Sequence, residues 1–415
     1  MPEFMGVWVC LKKTNKTLTN EAGEKEGRMS VKTYKYYDIV REQIKNHPTL
    51  TGQDLMKFCY QGCYGPKHLI TDKERAYSYF LEEYDGVTPK EGMLTERISE
   101  DYIRINFAPY KKAGLPPEWL FEMFYYTATD EGAVTTTLED ACLVVEEVLQ
   151  DSEGCISVEE WKETVRAYDK QDCAPIHHSA EYKAAEDPHY RIISDRYEGI
   201  LPIFLMMKEK QDEEKKAVRY EYQEDYAGEM VAVPVERKNI EVLVLAIEGR
   251  AASGKTTLSA ELERITKYPV IKMDHFFLPK SLQKTKRLQE PGGNIHYERF
   301  LEEVVSNIKE EQPFTYAIYD CMVGGKNGVE TVPSATWRIV EGVYSLHPKF
   351  GDYADLKVFV DVGPDEQMLR IRQRNGVKMA KMFRETWIPM EEVYFHKYKH
   401  EKNADYIYEG YKRPY

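Results

Sequence analysis

No apolar run in the 415 residues approaches the ~18 needed to span a bilayer. The first residues, MPEFMGVWVCLKKTNKT, also lack an apolar stretch of signal-peptide length with a small-residue cleavage site. A cytoplasmic location without a membrane partner is therefore the expectation. Basic charge is in deficit too, with 57 Lys and Arg against 70 Asp and Glu and a net charge of −13. Proteins with a broad nucleic-acid footprint carry a basic domain or stripe, so no nucleic-acid partner is expected. Cysteine is scarce: Cys10, Cys59, Cys63, Cys142, Cys155, Cys173 and Cys321 make an odd, scattered set that suits reduced thiols rather than a disulfide framework. Cys59, Cys63 and His68 carry zinc-ligand chemistry, yet their spacing matches no common zinc motif and a second ligand pair is missing. The two cysteines read as buried or inert thiols. Low-complexity tracts and internal repeats are absent as well, which excludes a chain disordered throughout and a helical solenoid.

What is present is the composition of a globular protein, 42% hydrophobic and 31% charged. At ~150 residues per domain the length suggests two or three, and two is the reading here. Residues 30–206 read as a mainly helical domain. Apolar residues recur at three- and four-residue spacing in YKYYDIVREQI, GQDLMKFCYQGCYG, RAYSYFLEEY and EWLFEMFYYTA. Ser157 with Glu160 three residues later forms a capping-box signature before a further helix. Residues 207–238 are dense in charge and poor in aliphatics, and read as a linker. From 239 to 415 short apolar runs alternate with helical segments: IEVLVLAIEG, YPVIKMDHFF, FTYAIYDC, WRIVEGVYSL, LKVFVDV and ADYIYEG. That alternation predicts an α/β domain with a parallel sheet covered by helices on both faces.

The segment VLVLAIEGRAASGKTTLSAELERI contains Gly249, Arg250, Ala251, Ala252, Ser253, Gly254, Lys255 and Thr256, a full match to G-x-x-x-x-G-K-[ST], followed by Thr257. Glycines let backbone N–H groups turn around phosphate oxygens, the helix N-terminus adds positive potential, the lysine reaches the terminal phosphates, and the threonine hydroxyl ligates Mg2+. An apolar strand runs straight into Gly249 and a helix leaves Lys255, the context the motif requires. ATP and Mg2+ are the cofactors this implies.

Three further features surround that loop. KMDHFFLP sets Asp274 at a strand end, where ligand groups of doubly wound folds gather. It is either a base for an attacking hydroxyl or a turn aspartate. WRIVEGVYSL sets Glu341 at another strand end, where it can hold Mg2+ directly or through water; a carboxylate buried in a strand without a role is costly. DEQMLRIRQRNGVKMAKMFRETWIP carries Arg370, Arg372, Arg374, Lys378, Lys381 and Arg384. Most of these suit a solvated helix face, with Arg370, Arg374 and Arg384 the candidates for neutralising charge on a transferred phosphoryl group.

In order along the chain, GRAASGKTT, MDHFF, GGNIHYERF, VEGVYSL and the arginine segment ending in WIPMEEVYF resemble the uridine kinase and phosphoribulokinase branch of P-loop kinases, over about residues 239–410. The resemblance implies that Asp274 is the catalytic base, that Glu341 supports the metal and that the arginines form a lid over ATP. It also implies a nucleoside as acceptor. Where uridine kinases carry an aspartate for the ribose hydroxyls, the nearest match is His296, and an imidazole cannot grip a diol as a carboxylate does. YAIYDCMVGG keeps Tyr319 but has no histidine, and Asp320 is a candidate replacement for the lost carboxylate. The functional expectation is an ATP-dependent phosphotransferase acting on a small-molecule hydroxyl, a nucleoside first. The alternatives are a sugar or other alcohol as acceptor, and an ATP-controlled switch that regulates a binding or sensor module. Homo-oligomerisation is left open by the sequence.

No family is recognised from the residues of the first half. Gln61, His68, His177, His178, Ser179, Tyr182, Tyr190 and Arg191 cluster among aromatics, and either line a pocket for a small anionic or nucleotide-like ligand, with Arg191 as its charged partner, or cap helices and fill an aromatic core.

Overall fold

The computed structural model describes residues 31–67, 70–130, 135–151, 156–169, 175–217, 219–224, 229–235, 241–320 and 323–410. His68 and Cys10, Cys155, Cys173 and Cys321 lie outside them. The three- and four-residue apolar spacing produces helices Val31–Asn46, Gly52–Tyr64, Lys73–Gly86, Pro117–Thr129, Leu138–Asp151, Val158–Asp169 and Leu201–Lys216. Helix Gly52–Tyr64 starts on a capping box, Thr51 and Asp54 each satisfying the other's backbone N–H. The expected start at Ser157 is found as well, its hydroxyl accepting the Glu160 N–H at 3.2 Å. Cys59 and Cys63 are buried on helix Gly52–Tyr64, and burial pushes the Cys63 thiol up to about 12.

Within this half lies a three-stranded antiparallel sheet that the helical reading missed: β1 (Thr95–Arg97), β2 (Tyr102–Asn106) and β3 (Tyr190–Ser194), in that spatial order. Tyr102, Ile103, Arg104 and Ile105 of β2 are all buried, so the strand lacks the alternation that marks a half-exposed one. The charged segment 207–238 is likewise more structured than a linker. Its helix runs to Lys216 and buries Met207, and an antiparallel hairpin of β4 (Arg219–Glu224) and β5 (Met230–Val235) follows.

The second half contributes β6 (Leu243–Gly249), β7 (Val270–Lys272), β8 (Phe314–Asp320), β9 (Gly325–Val332), β10 (Trp337–Glu341), β11 (Leu356–Val360) and β12 (Tyr406–Tyr408). Five of them form one parallel sheet in the order β12, β11, β6, β10, β7. The expected sixth member does not join: β8 pairs antiparallel with β9 in a separate hairpin. Antiparallel strands need only a brief connection and β9 begins soon after β8 ends, whereas joining the parallel sheet requires a crossover. In the central strand β6 every residue is buried, as a strand covered on both faces must be.

Side chains alternate across that strand. Val244 and Ala246 join a cluster with Phe300, Val304, Tyr394 and Phe395 on one face. Leu243, Leu245 and Ile247 face the other cluster, with Leu258, Leu262 and Ile265 of helix Lys255–Thr266. That second cluster continues without interruption into Trp119, Leu120, Phe204 and Met207. Helices Pro117–Thr129 and Leu201–Lys216 of the first half thus complete the layer on one face of the sheet. Polar bonds reinforce the contact: Asp130 accepts from both Arg196 and Arg264, the latter at 3.0 Å, and the Tyr406 hydroxyl donates to the Gly199 carbonyl at 3.3 Å.

Candidate functional site: a phosphate loop and its carboxylates

In the sheet, β6 leads to β7 on one side past β10, while β11 and β12 lie on the other side, so the C-terminal end of β6 is the point where strand order reverses. Crevices at such points are where ligands bind in open α/β sheets. Gly249 ends β6 there with φ of 147°, and a Cβ at this position would meet the Val360 carbonyl oxygen at 2.2 Å, so only glycine fits. The loop Arg250–Gly254 follows, Ala251 and Ser253 buried within it, and Ala252 is held in the left-handed region at φ 56°. Gly254 then precedes helix Lys255–Thr266, and among the described residues no side chain caps the amides of the first turn. Thr256 and Thr257 stand exposed on that turn.

Lys255 is buried and its Nζ donates to the Arg250 carbonyl at 2.8 Å. Burial lowers its basicity, while the carboxylates of Glu391, Glu248, Glu341 and Asp274 pull it back up. Strand register explains why those groups converge. Glu341 is the last residue of β10 and lies opposite Ile247 of β6 and Lys272 of β7, which bring the loop and the Met273–Phe276 turn alongside it. The Thr256 hydroxyl lies 3.4 Å from both Glu341 carboxylate oxygens. Burial pushes the Glu341 carboxyl up, Lys255 opposes that, and the neighbouring Asp274 charge adds to it. Asp274 itself is exposed on its turn. The turn is anchored from outside: the His275 carbonyl accepts Arg299 Nη1 at 3.4 Å, and His275 Nδ1 lies 3.2 Å from the Tyr316 hydroxyl.

Two carboxylates beside the loop escaped the reading of the sequence. Glu248, fully buried, accepts the N–H groups of Gly249, Tyr344 and Leu346 at 3.0, 2.9 and 3.0 Å and the Tyr394 hydroxyl at 3.0 Å. Burial pushes its carboxyl up to about 7 against those donors. It ties the loop entrance to the segment after Glu341 and to helix Ile388–Tyr398. Glu391, on that same helix, accepts the Ala251 N–H at 2.9 Å, and burial pushes it up to about 7 as well. The signal for Glu248 lay in VLVLAIEG, an acid inside an otherwise apolar strand. Glu391 gave none, because MEEVYF reads as an ordinary helix face.

The expected arginines divide. Arg370 is half-buried, donates to the Ser253 carbonyl at 3.0 Å and the Ala252 carbonyl at 3.4 Å, and pairs with Glu366 at 2.8 Å. Its neighbour Gln367 donates to the Ala251 carbonyl at 3.0 Å. Arg374 is exposed and, among the described residues, bonds to its neighbour Asn375 at 2.9 Å, before the helix breaks at Gly376, φ 76°. Arg384 is exposed in the turn Phe383–Trp387. On the acceptor side, His296 caps helix Tyr297–Phe300, its Nδ1 accepting the Arg299 N–H at 3.4 Å. Tyr319 is buried in β8, and Asp320 lies at the hairpin turn, accepting from Asn327 at 3.0 Å.

The donor set suits the cofactors the motif implies. Among the described residues the buried Ser253 hydroxyl has no hydrogen-bond partner, and the uncapped helix start adjoins a lysine, as a polyphosphate requires. Thr256 and Glu341 offer hydroxyl and carboxylate oxygens, the hard ligands Mg2+ prefers.

No protein-family model matches the chain. Solved structures similar to it include that of a candidate uridine kinase from Bacillus stearothermophilus, at 18% identity and a TM-score of 0.34, covering 42% of this chain and 91% of that one. A candidate fructose transport system kinase from a Silicibacter species aligns at 16% identity and a TM-score of 0.34, over 42% of this chain and 92% of the other. With likeness at this level, the functional case rests on the residues of the site.

Proposed function

We propose that this chain is an ATP-dependent phosphotransferase that moves the γ-phosphoryl group to a hydroxyl of a small molecule, with a nucleoside as the first acceptor class. The carrying observation is the convergence on one sheet edge of a buried Lys255, an uncapped helix start, the Thr256–Glu341 pair and an exposed carboxylate, Asp274. Loop amides from Ala252 to Thr257 and Lys255 hold the phosphates, and Thr256 with Glu341 holds Mg2+, which neutralises charge on the phosphate oxygens when bound. Asp274 takes the proton of the acceptor hydroxyl as its oxygen forms the new bond to phosphorus, and ADP leaves. Arg370 keeps the loop in shape through its carbonyls, and Arg374 and Arg384 supply the mobile positive charge. Residues 239–415 carry this chemistry, and residues 30–206 form a second module built against the back of the phosphate-loop helix.

His296, occupied as a helix cap, leaves the grip on a ribose diol to another group, with Asp320 the nearest sequence candidate. That keeps a sugar or other alcohol as the alternative acceptor. The test is ADP release from ATP and Mg2+ with a panel of nucleosides, sugars and polyols, wild type against Lys255→Ala. Acceleration by at least one acceptor, abolished in the variant, is expected. If no acceptor accelerates turnover while ATP alters protease sensitivity of the first half, the chain is an ATP-controlled switch instead.

A further inference from the structure

A cavity of about 220 Å3 lies in the first half, among helices Gly52–Tyr64, Lys73–Gly86 and Pro117–Thr129 and strand β3. Asp54, Lys57 and Gln61 share one face of the first of these helices, spaced by three and four. Lys57 and Gln61 line the cavity together with Glu83, His178, Tyr190 and Arg191.

One wall is a hydrogen-bonded chain with a single direction. Asp54 accepts from the Ser179 hydroxyl at 2.6 Å, the Thr51 hydroxyl at 2.7 Å and His178 Nδ1 at 2.9 Å. An ionised carboxylate only accepts, so Nδ1 carries the proton. Burial pushes the His178 imidazole down to about 4, which keeps it neutral and leaves Nε2 to accept the Tyr190 hydroxyl at 2.7 Å. The Tyr190 oxygen then accepts Gln61 Nε2 at 3.0 Å, and Gln61 Oε1 accepts Arg104 at 2.7 Å. With the Tyr190 proton given to His178, its oxygen also lies 3.2 Å from Gln61 Oε1, and among the described residues one amide N–H of Gln61 and one lone pair of Tyr190 remain for a ligand.

The two cations at the cavity differ in their pairing. Arg191 pairs with Glu83 at 2.8 Å and lies over the rings of Phe80, Phe107 and Phe124, so its charge is already matched. Lys57 has no carboxylate within ion-pair distance among the described residues; burial with the nearby Arg104 and Lys183 charges pushes its ammonium down to about 8, against the opposing pull of the Asp54 and Glu83 carboxylates. We propose that this cavity binds a small hydroxylated oxyanion, a phosphate monoester or a carboxylate, whose charge pairs with Lys57 and whose hydroxyl is held by Gln61 and Tyr190. A volume of 220 Å3 falls below the ~300–1,000 Å3 of pockets for drug-sized ligands, so the ligand is a compound of a few carbons and not a nucleotide. This differs from the sequence expectation in its charged partner, which is Lys57 instead of Arg191.

The test is acetylation of the full-length chain by acetic anhydride at pH 8, read at Lys57 by mass spectrometry, with glycerol 3-phosphate or glycerate as probe. Occupancy should slow Lys57 labelling about tenfold at a probe concentration ten times Kd, with exposed Lys90 unaffected. Protection must persist in Lys255→Ala, which separates this site from the phosphate loop and the inference from the kinase reading. Protection by one probe only assigns the phosphate or the carboxylate. In calorimetry Lys57→Gln should abolish probe binding and Lys57→Arg should retain it. Unprotected Lys57 with both probes, or undiminished probe binding in Lys57→Gln, would overturn the proposal; the labelling of wild type decides the matter even if that variant does not fold.

Discussion

The proposed base is open to a clean perturbation, Asp274→Asn. Asp274 is exposed, and among the described residues no hydrogen bond or ion pair holds its carboxylate. The isosteric amide therefore removes a proton acceptor and little else, and substitutions at such surface positions change stability by about 0.5 kcal/mol or less. General-base catalysis contributes roughly 10²–10⁴ in rate. At 1.36 kcal/mol per decade, the barrier should rise by about 2.7–5.4 kcal/mol. Initial rates of ADP release with the acceptor found in the screen should show kcat falling by that factor, with the KM for ATP within about threefold. Melting temperature should not move, because the turn stays anchored by the bond from Arg299 to the His275 carbonyl and by the His275–Tyr316 contact. A kcat within threefold of wild type would remove Asp274 from the mechanism. A loss of rate accompanied by lost ATP affinity or a lowered melting temperature would make it a structural residue.

Other perturbations separate the remaining roles. Arg370→Ala removes a charged donor from the Ser253 carbonyl, an interaction worth about 1.5–3 kcal/mol, and should raise the KM for ATP by tenfold or more. Arg384→Ala, at an exposed position, should lower kcat and spare ATP affinity; the reverse pattern in steady-state kinetics would exchange the two assignments. Trp119 packs on Phe204 and Tyr268 between the halves, so Trp119→Ala should cost about 3–5 kcal/mol and lower one shared unfolding transition in calorimetry. Separate transitions for the two halves would refute a common core. Burial holds the His178 pKa near 4 in the folded chain, against an ordinary value of 6.5, so the unfolded chain binds the extra proton between those values. The stability it contributes is complete above pH 6.5 and is lost as pH falls toward 4, on the order of 3 kcal/mol in all. His178→Gln should flatten that part of a denaturation-against-pH curve, and an unchanged slope would assign the loss elsewhere.

Some features were legible because their causes are local. The G-x-x-x-x-G-K-[ST] motif needs glycine at Gly249 and Gly254, a lysine and a threonine, each at a fixed place between an apolar strand and a helix, and the chain supplies all of them contiguously. Strands β6, β10 and β11 were equally readable from their short apolar runs, and Glu341 stood out as an acid within one. Local pattern identifies a strand without naming its partner, which is why β8 was expected in the parallel sheet and instead pairs with β9.

Sequence alone therefore determined the glycine-rich loop between strand and helix, the α/β character of the second half and the acid at the end of β10, since each follows from neighbours within a few residues. Only the tertiary structure decided what depends on distant partners. Strand register brought Glu341 beside the loop and the Asp274 turn, and burial turned Glu248 and Glu391 into loop-binding acids. Packing laid helices Pro117–Thr129 and Leu201–Lys216 onto the sheet's face, joining the two halves in one core. The chain from Asp54 through His178 to Tyr190 likewise joins residues far apart in sequence, because burial requires each polar group to find a partner wherever the fold supplies one.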